Sequence, residues 1–310
     1  MKKLHSIYPL IILLILIQLM SCAFEDDFMN DLKNKSVLAG IAHRMIWIPG
    51  GTFDMGRNLP SSGGFDQLPI TTVTMTGFNI SSYELTQEQY NHVMGINPGS
   101  NKSSADGNSG NLPVENVSWY DAVAFCNKLS VMANLTPAYR IPAFNSTDPL
   151  LWGSVPADNN SIWNKIEIVP GSDGYRLPTE AQWEYAAKGG NNSPGNYTYA
   201  GSNNADIVAW YNPNSAGITH EVGKKSSNSL GLFDMSGNVR EWCWDWYGPY
   251  PGGNVSNPTG YNPADSESII QRVVRGGSFT DTSSNTRSVY RYDSEPYIRS
   301  NNTGFRILRP

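Results

Sequence analysis

An α+β fold with high loop content is what this sequence predicts, on three observations. Three segments carry helix signals at both ends, the apolar residues after Gly189 come only in short fragments, and Gly, Pro, Asn and Ser punctuate what lies between. Strand-like and helix-like stretches that do not alternate regularly point to α+β rather than to a doubly wound sheet. An apolar content of 39%, with 11% aromatics, is enough for a core in a chain of 310 residues.

The elements follow in chain order. Lys2 and Lys3 precede the apolar run Leu10 to Ile17, which is too short to span a bilayer comfortably and leads into Leu19-Met20-Ser21-Cys22. The pattern resembles a bacterial lipoprotein leader, with residues 1–21 as signal peptide and lipid attached to the Cys22 thiol; an ordinary signal peptide with an incidental cysteine is the alternative. Residues 22–43 then form a polar tether, and residues 44–310 the domain proper. That leader implies a protein anchored by lipid to the bacterial outer membrane, at the cell surface, with either outward or periplasmic orientation open.

The stretch MIWIPGGTFDMG alternates apolar residues around Pro49-Gly50-Gly51 and predicts two short strands about a turn. In ELTQEQYNHVMG, Thr86 caps a helix with Gln89 as reciprocal partner; Tyr90, Val93 and Met94 form its stripe and Gly95 ends it. In VSWYDAVAFCNKLS, Ser118 caps with Asp121, and Ala122, Phe125, Cys126 and Leu129 share a buried face. In RLPTEAQWEYAAKGG, Thr179 caps with Gln182 and Gly189 stops the helix. Between the second and third helices, Thr136 to Gly174 reads as a surface insertion in one domain. Cys126 and Cys243 have no metal-ligand spacing; they read as buried thiols, with a disulfide between them left open.

A formal charge of −5 with scattered basic residues excludes nucleic acid as an expected partner. The segment between the rigid ends RGGS and GFR is unusual: of the 24 residues Thr280 to Thr303, 17 are Asn, Ser, Thr, Asp or Tyr. No packed core can be built from that composition, yet Arg287, Arg291, Arg299 and Pro296 interrupt it at intervals a flexible linker would not need.

Seven motifs, GGTFDMG, ELTQEQY, PVENVSWYDAVAFCNKLS, YRLPTEAQWEY, NSLGLFDMSGNVREW, RVVRGGSF and GFR, stand in an order that resembles the formylglycine-generating enzyme, or sulfatase-modifying factor, domain, over Met45 to Pro310. The resemblance implies a C-type lectin fold of the formylglycine-generating-enzyme subtype. It also implies two copper-binding cysteines, three and eight residues after the serine of GGS. Those positions are Asp281 and Thr286 here, and neither can supply the thiolate that Cu(I) requires. His92 and His220 are isolated, so the iron-dependent branch of the family has no facial ligand set; neither copper nor iron is expected, nor is an enzyme. Glu180 and Glu184, one helical turn apart, belong to the family's helix motif and are expected to be structural. The resemblance places a structural Ca²⁺ at Asp234, Gly237, Val239 and Glu241, where two carboxylates and two carbonyls offer hard oxygen ligands; the alternative is a turn held by its own bonds.

Freed of catalysis, the C-terminal segment is similar to the variable region of retroelement-diversified proteins, in which substitution at template adenines converts Asn codons of the AAY form. Aligned to that pattern, Arg287, Arg291, Arg299, Pro296 and the two ends are constant. The variable, ligand-binding positions are Thr280, Asp281, Thr282, Ser284, Asn285, Tyr290, Tyr292, Asp293, Ser294, Ile298, Ser300, Asn301 and Asn302, all residue types reachable from AAY. In an extended segment Tyr290 and Tyr292 share one face and Arg291 takes the other. The inner arginines would pin the backbone while the outer Tyr, Ser, Asn and Asp bind. The expected partner is an unidentified ligand, protein or carbohydrate on another cell, met by a monomer. A family enzyme with noncanonical chemistry and a constant partner-binding lipoprotein are the other readings.

Overall fold

The computed structural model describes residues 34–56, 67–100, 109–192, 196–261 and 271–310. The leader, Cys22 and the first part of the tether lie outside the described residues. Residues 34–43 are helical and belong to a unit ending at His43; Arg44–Pro310 form a second compact unit.

Strand β1 (Met45–Ile48) and strand β2 (Gly51–Met55) form where the apolar alternation predicts them, but they do not pair with each other. The Pro49-Gly50 turn sends them into different sheets. Strand β3 (Thr71–Met75) pairs antiparallel with β2, while β4 (Phe78–Ser81) pairs antiparallel with β1. The turn is held from outside, the Tyr185 hydroxyl donating to the Pro49 carbonyl at 3.0 Å.

Helix α1 (Gln87–Met94), helix α2 (Trp119–Met132) and the later α3 (Glu180–Ala187) each begin with the predicted reciprocal cap: Thr86 with Gln89, Ser118 with Asp121, and Thr179 with Gln182. Gly95 ends α1 at φ 79°, the left-handed conformation glycine adopts without steric cost. Helix α2 is buried nearly all round. The insertion before α3, with β5 (Tyr139–Arg140) and β6 (Glu167–Ile168) paired antiparallel, is stitched to it: Asn127 accepts from the Tyr139 amide and donates to its carbonyl, and Tyr139 stacks on Trp244 at 5.0 Å. A short helix α4 (Ala205–Val208) follows α3.

The sheet that carries the candidate site contains β7 (Arg240–Trp246), β9 (Arg272–Arg275), β10 (Arg291–Ser294) and β11 (Thr303–Gly304), in the order β10-β9-β7-β11. Strand β9 runs antiparallel to both neighbours, and β11 runs parallel to β7. Strand β8 (Gly253–Ser256) joins β3, and β12 (Leu308–Arg309) closes on β4, which brings the C-terminus back beside the start of the domain. Trp183, Tyr185, Phe78, Ile80, Val273 and Leu308 share one core. Cys126 and Cys243 are free and buried.

Candidate ligand-binding face and its frame

The frame begins with the cap of α3. Thr179 fixes the start of the helix, so Glu180 and Glu184 stand one turn apart on one side, and both are buried. Against them come two arginines of the C-terminal segment. Arg275, at the end of β9, donates from Nη1 to Glu180 Oε1 at 3.0 Å and from Nη2 to Glu184 Oε2 at 2.6 Å. Arg291, at the start of β10, grips Glu180 through Nε and Nη2 at 2.6 and 2.8 Å and donates from Nη1 to the Gly248 carbonyl at 3.0 Å.

Burial pushes the Glu184 carboxyl up, but Lys188 and Arg275 outweigh it and hold the group at about 2. Lys188 sits 2.8 Å from Glu184 Oε1 and the Gly56 amide donates to the same oxygen. Breaking a buried pair of this kind from one side leaves an uncompensated charge, a cost of about 3–5 kcal/mol. The arginines therefore fix where the segment can lie.

Two more arginines complete the frame. Arg299 forks onto Asp121, the cap partner of α2, at 2.7 and 3.0 Å. Arg306, of the closing GFR, forks onto Glu241 at 2.6 and 2.7 Å, and Trp183 Nε1 donates to the same carboxylate at 2.7 Å. At the other end Gly276 and Gly277 take φ 91° and 70°, and a Cβ on Gly277 would meet the Asn285 carbonyl oxygen at 2.6 Å. The rigid ends suggested by RGGS and GFR are thus built from glycine geometry and a buried ion pair.

On this frame the thirteen predicted positions divide. Thr280, Thr282, Ser284, Tyr292, Ile298 and Asn301 are exposed; Asn285, Tyr290, Asp293, Ser294, Ser300 and Asn302 are half-buried. Arg275, Arg287, Arg291, Pro296 and Arg306 are buried between them, and Arg299 keeps part of its side chain in solvent. Tyr292 points outward where Arg291 points in, as strand alternation requires.

Asp281 departs from the other twelve. It is buried, accepts from the Ser278 amide and hydroxyl at 2.8 and 2.7 Å, and receives both prongs of Arg240 at 2.9 and 2.6 Å. The Arg240 guanidinium also lies 4.0 Å from the centre of the Tyr292 ring. Arg240 carries no signal in the sequence that marks it for this place, since its partners are 41 and 52 positions away. Thr286, the other position where the family's cysteines would fall, is fully buried, its hydroxyl donating to the Ser283 carbonyl at 3.0 Å.

The outward side chains already bond to one another in two patches. Thr282 and Ser284 hydroxyls lie 2.8 Å apart, with Asn285 donating to the Tyr290 hydroxyl at 3.2 Å. Asn302 donates to the Thr280 hydroxyl at 3.1 Å and accepts from Ser300 at 2.7 Å. These are adaptable donors and acceptors around two tyrosines, a composition suited to recognition.

The residues expected to hold calcium do not form a ready carboxylate cage; among the described residues no group of three His, Cys, Asp or Glu is arranged to hold a metal. Glu241 is engaged by Arg306 and Trp183, but Asp234 Oδ1 is buried without a hydrogen-bond partner. Burial raises the Asp234 carboxyl to about 6, and burial with the charges of Asp234 and Glu241 raises Glu84 well above its usual range. Three carboxylates face one guanidinium here, so an oxygen-loving cation suits the orphaned oxygen. His220 is stacked on Trp210 at 3.7 Å, with Nε2 2.9 Å from the Ser215 carbonyl.

Comparison with known proteins places this architecture. The chain is 38% identical to Treponema denticola variable protein 1, with a TM-score of 0.76 over 86% of this chain and 95% of the other. It is 40% identical to the chaperone protein LppX of Paenibacillus barcinonensis, over 67% of this chain and 73% of the relative. It is 28% identical to the formylglycine-generating enzyme of Thermomonospora curvata, over 77% and 83% of the two chains. Residues 33–310 match the sulfatase-modifying factor enzyme 1-like domain, and the chain belongs to that family, with its C-type-lectin-like mixture of helix, sheet and loop.

Proposed function

We propose that this protein is a non-catalytic lipoprotein that displays a retroelement-diversified ligand-binding face on a C-type lectin fold. The observation that carries the reading is the sorting of one segment into two populations: arginines turned inward onto Glu180, Glu184 and Glu241, and twelve residues of types reachable from AAY codons, six exposed and six half-buried. Variation at those twelve positions would change what is bound without touching what folds. The similarity to a variable protein of the same fold supports it.

The side chains present support binding rather than turnover. Asp281 is committed to Arg240 and Thr286 to a backbone carbonyl, and neither is a thiol. Incubating the protein with Cu(I) and a cysteine-containing sulfatase peptide is expected to leave the peptide thiol unoxidised; formation of formylglycine would overturn the reading. At the nucleotide level, the twelve positions and Asp281 are expected to align with AAY codons in a nearby template copy beside a reverse transcriptase gene, and absence of such a copy would leave a constant binding protein instead.

The leader supports lipid attachment at Cys22 and display at the outer membrane. Protection from protease added to intact cells would contradict an outward orientation. A structural Ca²⁺ at Asp234 is supported by the orphaned Asp234 Oδ1, whereas Glu241, another of the expected ligands, is already held by Arg306 and Trp183. It would neutralise surplus carboxylate charge and take no part in binding chemistry.

A further inference from the structure

Behind the display face lies a cavity of about 330 Å³ that the frame does not explain. Met55, Trp246, Pro249, Tyr250 and Tyr261 contribute its apolar walls, and Asp245, Glu180 and Arg291 its charged ones. A void of about 150 Å³ accommodates benzene, so this one holds a bicyclic ring. Ligand pockets are mostly apolar with a few placed polar groups, the character that this cavity has.

The polar groups can be sorted by whether they are already used. Glu180 and Arg291 satisfy each other in a two-pronged pair, and Tyr250 donates its hydroxyl to Glu180 at 3.3 Å. Thr71 Oγ1 donates to the Pro69 carbonyl and accepts from the Gly252 amide. Asp245 is different: it is 3% exposed, its Oδ2 accepts the Glu180 amide at 2.8 Å, and the hydrogen bonds among the described residues leave Oδ1 unengaged. That oxygen lies on the side of Gly260, another lining residue, where an added Cβ would approach it to 2.7 Å. An acceptor on a cavity wall with unused capacity is open to a ligand that supplies a donor.

We propose that this cavity binds a flat, uncharged aromatic molecule of about indole size, carrying one N–H or O–H donor that it places on Asp245 Oδ1. A ligand with no charge of its own avoids the desolvation cost that a charged one would meet beside the 3% exposed Asp245. The aromatic and proline walls supply apolar contact, and Asp245 supplies selection for the donor. The site is separate from the variable side chains: β10 presents Tyr292 to solvent and Arg291 to the cavity.

Indole and N-methylindole make the test, since they share a body and differ in the donor. The full chain in detergent, labelled at methionine methyls and with the Met55 resonance identified by Met55→Leu, is titrated with each. Indole is expected to shift Met55 saturably, and N-methylindole to bind at least about tenfold more weakly, the loss of one buried hydrogen bond. Asp245→Ala is expected to make the two affinities equal. No saturable shift, or equal affinities in the parent, would overturn the proposal. The parent comparison decides alone if the variant does not fold.

Discussion

At the scale of single residues, Asp281 separates what a residue type permits from what its place demands. Its codon-accessible identity groups it with the variable positions, yet it receives Arg240 in a two-pronged pair and the amide and hydroxyl of Ser278. Hydrogen bonds to charged groups contribute about 1.5–3 kcal/mol. Asp281→Asn is therefore expected to lower unfolding stability by about 1.5–3 kcal/mol, against a change within about 0.5 kcal/mol for Thr282→Asn at the exposed neighbour. Urea denaturation of the two variants checks it, and equal effects would return Asp281 to the variable face. The sequence hid this because Arg240 lies 41 residues upstream and reaches Asp281 only through the fold.

At the scale of elements, the three capped helix starts were legible, while the helical residues 34–43, the short α4 and the ion-pair partners were not. A cap with its reciprocal Gln or Asp is a local signal, satisfied within four residues, and all three predicted boxes form. The spacing of Glu180 and Glu184 was equally local and by itself fits an acid/base pair; their place in the family's helix motif is what suggested the structural role that their ion pairs now fill. Their partners Arg275 and Arg291 stand 95 and 111 residues beyond Glu180, so pairing could be expected of the arginines in general but not assigned. The strands flanking Pro49-Gly50 show the same limit: their existence follows from alternation, while their separation into two sheets depends on β3 and β4. Glu180→Gln is expected to cost about 3–5 kcal/mol, because it weakens the hold on two buried guanidiniums at once. A loss under about 1 kcal/mol in urea denaturation would show that the frame does not depend on this carboxylate.

For the whole molecule, the buried charges set a pH dependence. Burial, reinforced by the charge of Glu180, lifts Asp245 from its usual 3.8 to about 7. A carboxyl raised in the folded state favours folding while both states are protonated, and that contribution is lost as pH rises from about 4 through about 7. Glu184, held at about 2, acts oppositely: its contribution is present above its usual 4.5 and is lost as pH falls toward 2. Denaturation midpoints at pH 5 and pH 8 are expected to fall less in Asp245→Asn than in the parent. An unchanged difference would mean that Asp245 does not titrate in this range. At the calcium site proposed around Asp234, millimolar Ca²⁺ is expected to raise the melting temperature by several degrees and chelator to reverse it; no shift would contradict that proposal.

The division of the C-terminal segment into an anchored frame and a replaceable face is the claim on which the function rests. It is tested most directly by the unfolding free energy of variants in which the twelve outward positions are refilled together with different mixtures of Asn, Ser, Thr, Asp and Tyr. Surface substitutions away from caps and buried pairs are small and partly cancel, so these variants are expected to unfold within about 2 kcal/mol of the parent. A loss as large as that of Glu180→Gln in each mixture would mean that the face is part of the fold, and would contradict the account.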